Sequence, residues 1–329
     1  MGRAALVFLL SAVGLVFSLG WSVALGAADI DLPTVWEAVV SFDPLNTNHQ
    51  VIQELRLPRA AGAALVGAFL AVAGAVMQGL TRNPLASPSV MGVTHGAAFS
   101  LIVALVFFPS LSNFGMMVAS FIGAGLAVLL VIAVGSFSKG GLTPVKLALA
   151  GVAIGGMLSS LSTAISLHFQ VAKQMSFWYA GGLANTSWTS VKVLLIAGVL
   201  GVIIALAISR SMTVLSLGED ISKGLGQNTI LIKSLGVIVV FLLAGAAVSV
   251  AGTVGFIGLV IPHITRFLVG SDYRLIIPVS AVLGGWLLVA ADTGARLVNA
   301  PYETPVGAIT ALIGVPFFLY LARGKRGGM

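Results

Sequence analysis

Stretches of this chain hold no charged residue over the length needed to cross a bilayer, among them those between Arg3 and Asp29, Arg59 and Arg82, Lys146 and Lys173, and Glu303 and Arg323. A hydrocarbon core about 30 Å thick takes about 20 helical residues. A chain that must bury such runs folds as a membrane-embedded bundle, because inside lipid every backbone N–H and C=O has to be satisfied within the protein. Only 8% of residues are charged, whereas soluble domains carry about 25%. About ten spans would use about 200 residues, which leaves no room for a sizeable soluble domain. The expectation is an all-α polytopic integral membrane protein, a single transmembrane domain over residues 1–329.

The spans are expected at roughly 4–26, 58–80, 89–108, 114–135, 146–167, 191–209, 230–250, 254–269, 275–297 and 303–322. A signal peptide cleaved near Gly26-Ala27-Ala28 is the other reading of the first. Its uncharged run of about 25 residues exceeds the 7 to 15 of a signal core, which favours a retained helix. Residues 83–138 must hold two spans, with Pro109, Ser110, Ser112 and Asn113 forming the turn between them. The eighth span is short and follows Gly252 and Gly255, as a half-helix would.

Ten spans put both termini on one side. Placing them in the cytoplasm locates twelve of the seventeen basic residues there, as the positive-inside bias favours. Arg56, Arg59, Lys173, Lys192 and Arg296 remain outside, with the acidic residues Asp29, Asp31, Glu37, Asp43 and Glu54. The net charge of +7 therefore reads as membrane topology and not as nucleic-acid binding. Zero cysteines exclude disulfides and thiolate chemistry. Neither a P-loop nor a nucleophile elbow is present, so ATP hydrolysis is not expected of this chain. The four histidines are too scattered to suggest a metal site, and no cofactor is expected. Of the acids only Asp292 falls inside a span, four residues before Arg296, the favourable order for a helical ion pair.

The segment SLGEDISKGLGQN, residues 216–228, is the longest polar stretch on the cytoplasmic side. Glu219, Asp220 and Lys223 are interleaved with Leu217, Ile221 and Leu225, as in a short amphipathic helix bounded by Gly218 and by Gly224 or Gly226. A solvated loop would leave its apolar side in water, whereas a docking element uses both sides.

Three stretches resemble the FecCD family of permeases: RLPRAAGAALVGAFLAVAGAVMQGLTRNPLASPSVMGV at 56–93; LGEDISKGLG at 217–226 with GTVGFIGLVIPHITRFLVGSDYR at 252–274; and LLVAADTGARL at 287–297 with ETPVGAITALIGVPFFLYL at 303–321. The resemblance implies a BtuC-like subunit of ten helices in an ATP-driven importer of ferric siderophores, haem or cobalamin, with ferric siderophore the first choice. It also implies a location in a bacterial or archaeal plasma membrane. The partners it implies are a second permease subunit, a cytoplasmic ATPase that binds ATP, and an extracytoplasmic substrate-binding protein. Membrane lipid surrounds the chain and nucleic acid is not a partner. Residue by residue, Leu217, Gly218, Glu219, Asp220, Leu225 and Gly226 match the family's ATPase-coupling segment, and Arg56, Arg59 and Arg296 match its outward arginines that meet the binding protein. A cytoplasmic gate would fall at Gly141-Leu142-Thr143-Pro144-Val145, where no residue match supports an assignment. The alternative from another class is an ion-coupled secondary transporter, which would need an acid or a broken helix pair holding an ion near the midplane.

Overall fold

The computed structural model describes residues 2–26, 30–136, 143–300 and 302–324. The described residues are helical over most of their length, without strands. The order is α1 (Gly2–Ala24), α2 (Leu32–Val40), α3 (Thr47–Val51), α4 (Leu57–Thr81), α5 (Val93–Phe107), α6 (Asn113–Ser136), α7 (Pro144–His168), α8 (Ala172–Ala180), α9 (Trp188–Ser216), α10 (Glu219–Gly224), α11 (Thr229–Ala251), α12 (Ile257–Val269), α13 (Tyr273–Val298) and α14 (Val306–Gly324).

Seven helices among the described residues are long and apolar enough to cross a membrane. They coincide with seven of the ten expected spans. The other three expected spans fall on shorter apolar helices, Val93–Phe107, Ile257–Val269 and Val306–Leu319. The third was expected to start at 89, but residues Pro88–Met91 form a 3-10 turn and Gly92, at φ 75°, breaks the chain before α5. In the other direction, α3 runs through a π-helical turn, Ile52–Arg56, straight into α4, giving one apolar helical rod from Thr47 to Thr81. The small helices α2 and α8, outside the apolar runs, were not foreseen. The possible cleavage site at Ala27 and Ala28, and Gly141 and Leu142 of the expected gate, lie outside the described residues. Of that gate segment, Thr143 caps α7, its Oγ1 accepting from Lys146 N at 3.4 Å, and Pro144 takes the first turn.

At the centre stands α4, buried over most of its length and packed on α9, α11, α12 and α13. Small residues permit this. A Cβ on Gly67 would stand 2.2 Å from Gly284 O of α13, and one on Gly74 would stand 1.9 Å from Gly258 O of α12. In lipid, where apolar side chains gain little by leaving one hydrocarbon for another, close backbone approach supplies much of the attraction between helices.

The start of α12 is broken. Gly252 and Phe256 both have positive φ, and residues 252–256 are not helical. The protein covers this backbone: Gly182 N donates to Ala251 O at 2.9 Å, and Thr253 N to Trp178 O at 3.4 Å. Pro262, inside α12, has no N–H to give the carbonyl of Gly258. Gln78 of α4, 3% exposed, directs its amide N–H groups to Gly258 O at 3.5 Å and Leu259 O at 3.2 Å. Its carbonyl accepts from Arg266, so the side chain is fixed at both ends.

Candidate functional site

The polar residues collect at the two ends of the bundle. At one end lie Arg56 and Arg59, at the start of α4, with Asp292 and Arg296, at the finish of α13. Arg59 Nε donates to Asp292 Oδ2 at 2.9 Å and Nη2 to Oδ1 at 3.0 Å, while Nη1 and Nη2 reach Glu303 Oε1 and Oε2 at 2.7 and 2.9 Å. One guanidinium thus serves two carboxylates with its planar fork. Asp292 is 1% exposed and Glu303 53%. The Arg59 guanidinium holds the Glu303 carboxyl below the usual glutamate range.

Arg56 and Arg296 have a different task. Arg56 Nη1 donates to Val23 O and Ala24 O at 2.8 and 2.6 Å, and Arg296 donates to Ser22 O at 3.0 Å and Leu25 O at 3.1 Å. These four carbonyls end α1, where no further turn supplies donors and the helix dipole is negative, so two cations cap it. The expected Asp292–Arg296 pair is present, with Arg296 Nε 3.4 Å from Asp292 Oδ2. All three outward-reading arginines are therefore brought together, and all three are engaged within the chain. Their side chains are largely covered: Arg59 and Arg296 are 11% and 10% exposed.

Sequence reasoning missed the partnership of Arg59 with Asp292 and Glu303. Its signal was available, because a ten-span topology puts the start of α4 and the finish of α13 at the same end.

At the opposite end, α9 closes at Ser216 and the chain turns through Gly218, at φ 136°, into the six-residue α10. Gly226, at φ 76°, turns it back towards α11. Both turns need conformations that side-chain-bearing residues rarely adopt. Leu217, Ile221 and Leu225 are 63%, 52% and 68% exposed, an apolar row facing away from the bundle. Glu219 Oε1 is 3.1 Å from Lys223 Nζ and Oε2 is 2.6 Å from Lys233 Nζ of α11, which pins α10 to the bundle. The hydrogen bonds from both lysines hold the Glu219 carboxyl below its usual range. Ser222 is buried and donates to Gln227. Asp220 is exposed beside this row.

Nearby, Thr213 Oγ1 accepts from Tyr273 N at 2.9 Å, tying the finish of α9 to the start of α13. Among the described residues no three His, Cys, Asp or Glu side chains converge as a metal site would require.

The chain is 62% identical over 308 residues to the Iron(3+)-hydroxamate import system permease protein FhuB of Bacillus subtilis, covering 94% of this chain and 80% of the relative. It is 46% identical over 322 residues to the Iron-uptake system permease protein FeuB of the same organism, covering 98% and 96%. A solved inward-facing metal-chelate type ABC transporter superposes with a TM-score of 0.85 at 29% identity, covering 96% of this chain and 98% of that one. The family model described as the FecCD transport family matches residues 14–324, and the chain belongs to that family.

Proposed function

We propose that this chain is the membrane permease subunit of an ATP-driven importer that carries a ferric chelate, of hydroxamate-siderophore type, into the cytoplasm. The observation that carries this reading is the 62% identity to an Iron(3+)-hydroxamate permease along 94% of the chain. Relatives named for ferric citrate and cobalamin import share less, 42% and 40%. Restoring the gene to a strain that lacks it tests the cargo. Uptake of iron-55 hydroxamate should return, and uptake of iron-55 citrate should not; the reverse pattern overturns the choice of chelate.

In this reading the chain crosses the membrane ten times, the three shorter helices completing the count, with both termini in the cytoplasm of a prokaryotic cell. The seven longer helices and the coincidence of the shorter apolar ones with the remaining expected spans support it. The end bearing α10 then faces the cytoplasm. A separate ATPase docks there, contacting Leu217, Gly218, Glu219, Asp220, Leu225 and Gly226. The exposed apolar row supports this, since a soluble partner gives it cover that water does not.

The end bearing Arg56, Arg59 and Arg296 faces outward to the substrate-binding protein. Three guanidinium groups against the carboxylates of Asp292 and Glu303 leave one positive charge in excess. Because these arginines are already engaged, their role in docking is the field of the cluster and its rigid placement, which act on encounter rate more than on affinity. A second permease subunit completes the path.

The ion-coupled alternative is less well supported. Asp292, its best acid, sits at the end of the bundle and is held by two arginines.

A further inference from the structure

A groove of about 860 Å³ runs between α6 and α11. Its walls are apolar side chains such as Ile122, Leu129, Val237 and Ile238, and its floor at one end is the Phe121–Phe241 ring pair, with centroids 4.7 Å apart. Its polar lining is Ser136, Thr143, Glu219, Lys233 and Ser234, all at the α10 end. From Lys233 to Phe241 is about 12 Å of helical rise and from Phe121 to Ser136 about 22 Å. These bracket the thickness of one leaflet, about half of a 30 Å core.

We propose that this groove binds one anionic glycerophospholipid from the leaflet on the α10 side, its acyl chain along α6 and α11 and its phosphate at Lys233. The cytoplasmic identity of that leaflet rests on the topology proposed above.

Charge selects the headgroup. Lys233 is the cation in the groove lining, and its partner Glu219 is shared with Lys223 outside the groove, so the Lys233 ammonium is only partly neutralised. An ammonium has three donors and Glu219 accepts one from Lys233, so a phosphodiester with several acceptor oxygens fits beside it and beside the hydroxyls of Ser136 and Ser234. Hydrophobicity selects the chain. Ile122, Leu129 and Ile238 are 52%, 63% and 42% exposed along the spanning stretch, where the surrounding medium is acyl chain. A second copy of the protein would have to bring acceptors of its own to cover Lys233, whereas a lipid brings them on the same molecule as the apolar tail. The site also has a consequence for α10. A phosphate drawing on Lys233 competes with Glu219, the residue that ties α10 to the bundle, so lipid occupancy adjusts how firmly α10 is held.

The test uses the full-length permease in the transporter extracted from its membrane, exchanged into micelles with equal amounts of phosphatidylglycerol and phosphatidylcholine, and weighed by native mass spectrometry. Retention should favour phosphatidylglycerol by about fivefold, the worth of one lysine near an anionic headgroup. Lys233→Gln should remove the preference, Lys233→Arg should keep it, and Glu219→Gln, which frees Lys233 from its protein partner, should increase it. Phosphatidylglycerol bearing a photoreactive group on its acyl chain should label the peptides of α6 and α11. Equal retention of the two lipids, or labelling confined to other helices, overturns the proposal. So does cross-linking between two copies through Ile122→Cys, an unambiguous probe because the natural chain has no cysteine. Lipid retention is read on the permease itself, so failure of the ATPase assignment at α10 registers separately, as loss of ATPase capture.

Discussion

Arg59 and Asp292, 233 residues apart in sequence, close a two-pronged ion pair between the start of α4 and the finish of α13. The carboxylate is almost fully buried, so its charge is tolerable only because two guanidinium groups meet it there. The same arginine reaches on to Glu303, joining the loop before α14 to the bundle centre.

Removing Arg59 leaves the buried Asp292 carboxylate with Arg296 alone, whose Nε lies 3.4 Å away without a hydrogen bond, so the buried charge is incompletely compensated. Arg59→Ala should therefore destabilise the chain by about 3 to 5 kcal/mol, read as a lowered midpoint of thermal unfolding in detergent. Combining it with Asp292→Asn should recover part of that loss, because the buried carboxylate is then neutral; the recovery is incomplete because Arg296 loses its ion-pair partner. A double variant no more stable than Arg59→Ala would show that the pair is not the source.

Gly74→Ala should be costly for a different reason. Its Cβ would overlap the carbonyl oxygen of Gly258, forcing α4 and α12 apart and disturbing the Gln78 contacts below. Overpacking of this kind costs about 1 to 3 kcal/mol. Gly20→Ala is the control: nothing lies within 4 Å of its Cβ position in α1, so stability should hold or rise slightly. Thermal unfolding of the two variants side by side measures the difference.

Glu303 gives a pH signature. Its folded carboxyl is held below the ordinary glutamate value of 4.5 by Arg59, so the bridge contributes stability above that value and loses it as pH falls through the lower, folded one. The gap in unfolding midpoint between the natural chain and Glu303→Gln should stay constant from pH 7 to about 5 and close below 4.5. Half of this side chain is exposed, so the gap itself should be small.

The helical plan was legible because charge-free runs report membrane crossings directly, and helices lie over every expected run. Two boundaries were not. Gly92 and the 3-10 turn before it interrupt an apolar run without altering its hydropathy, and the rod from Thr47 into α4 passes through the charged residues Glu54 and Arg56 that looked like a boundary. The α10 row was legible from the interleaving of Leu217, Ile221 and Leu225 with charges. The Arg59 cluster was legible as a set of arginines and not as a structure. Capping of α1 by Arg56 and Arg296 depends on where the finish of α1 lies in space, which no local pattern encodes.

The α10 row makes its own prediction. Ile221→Asp with Leu225→Asp places charge on exposed positions, so the permease should fold and insert as before. Capture of the ATPase should fall by about tenfold or more, equivalent to the loss of about 1.4 kcal/mol. Undiminished co-purification would remove α10 from the interface.

The energy source tests the account most directly. The permease is reconstituted in liposomes with its ATPase and binding protein, with ATP supplied on the α10 side and no ion gradient. Iron-55 hydroxamate uptake should then proceed, stop with a non-hydrolysable ATP analogue, and be abolished by Ile221→Asp with Leu225→Asp. Uptake driven by a proton or sodium gradient without ATP, and indifferent to those substitutions, would contradict the account.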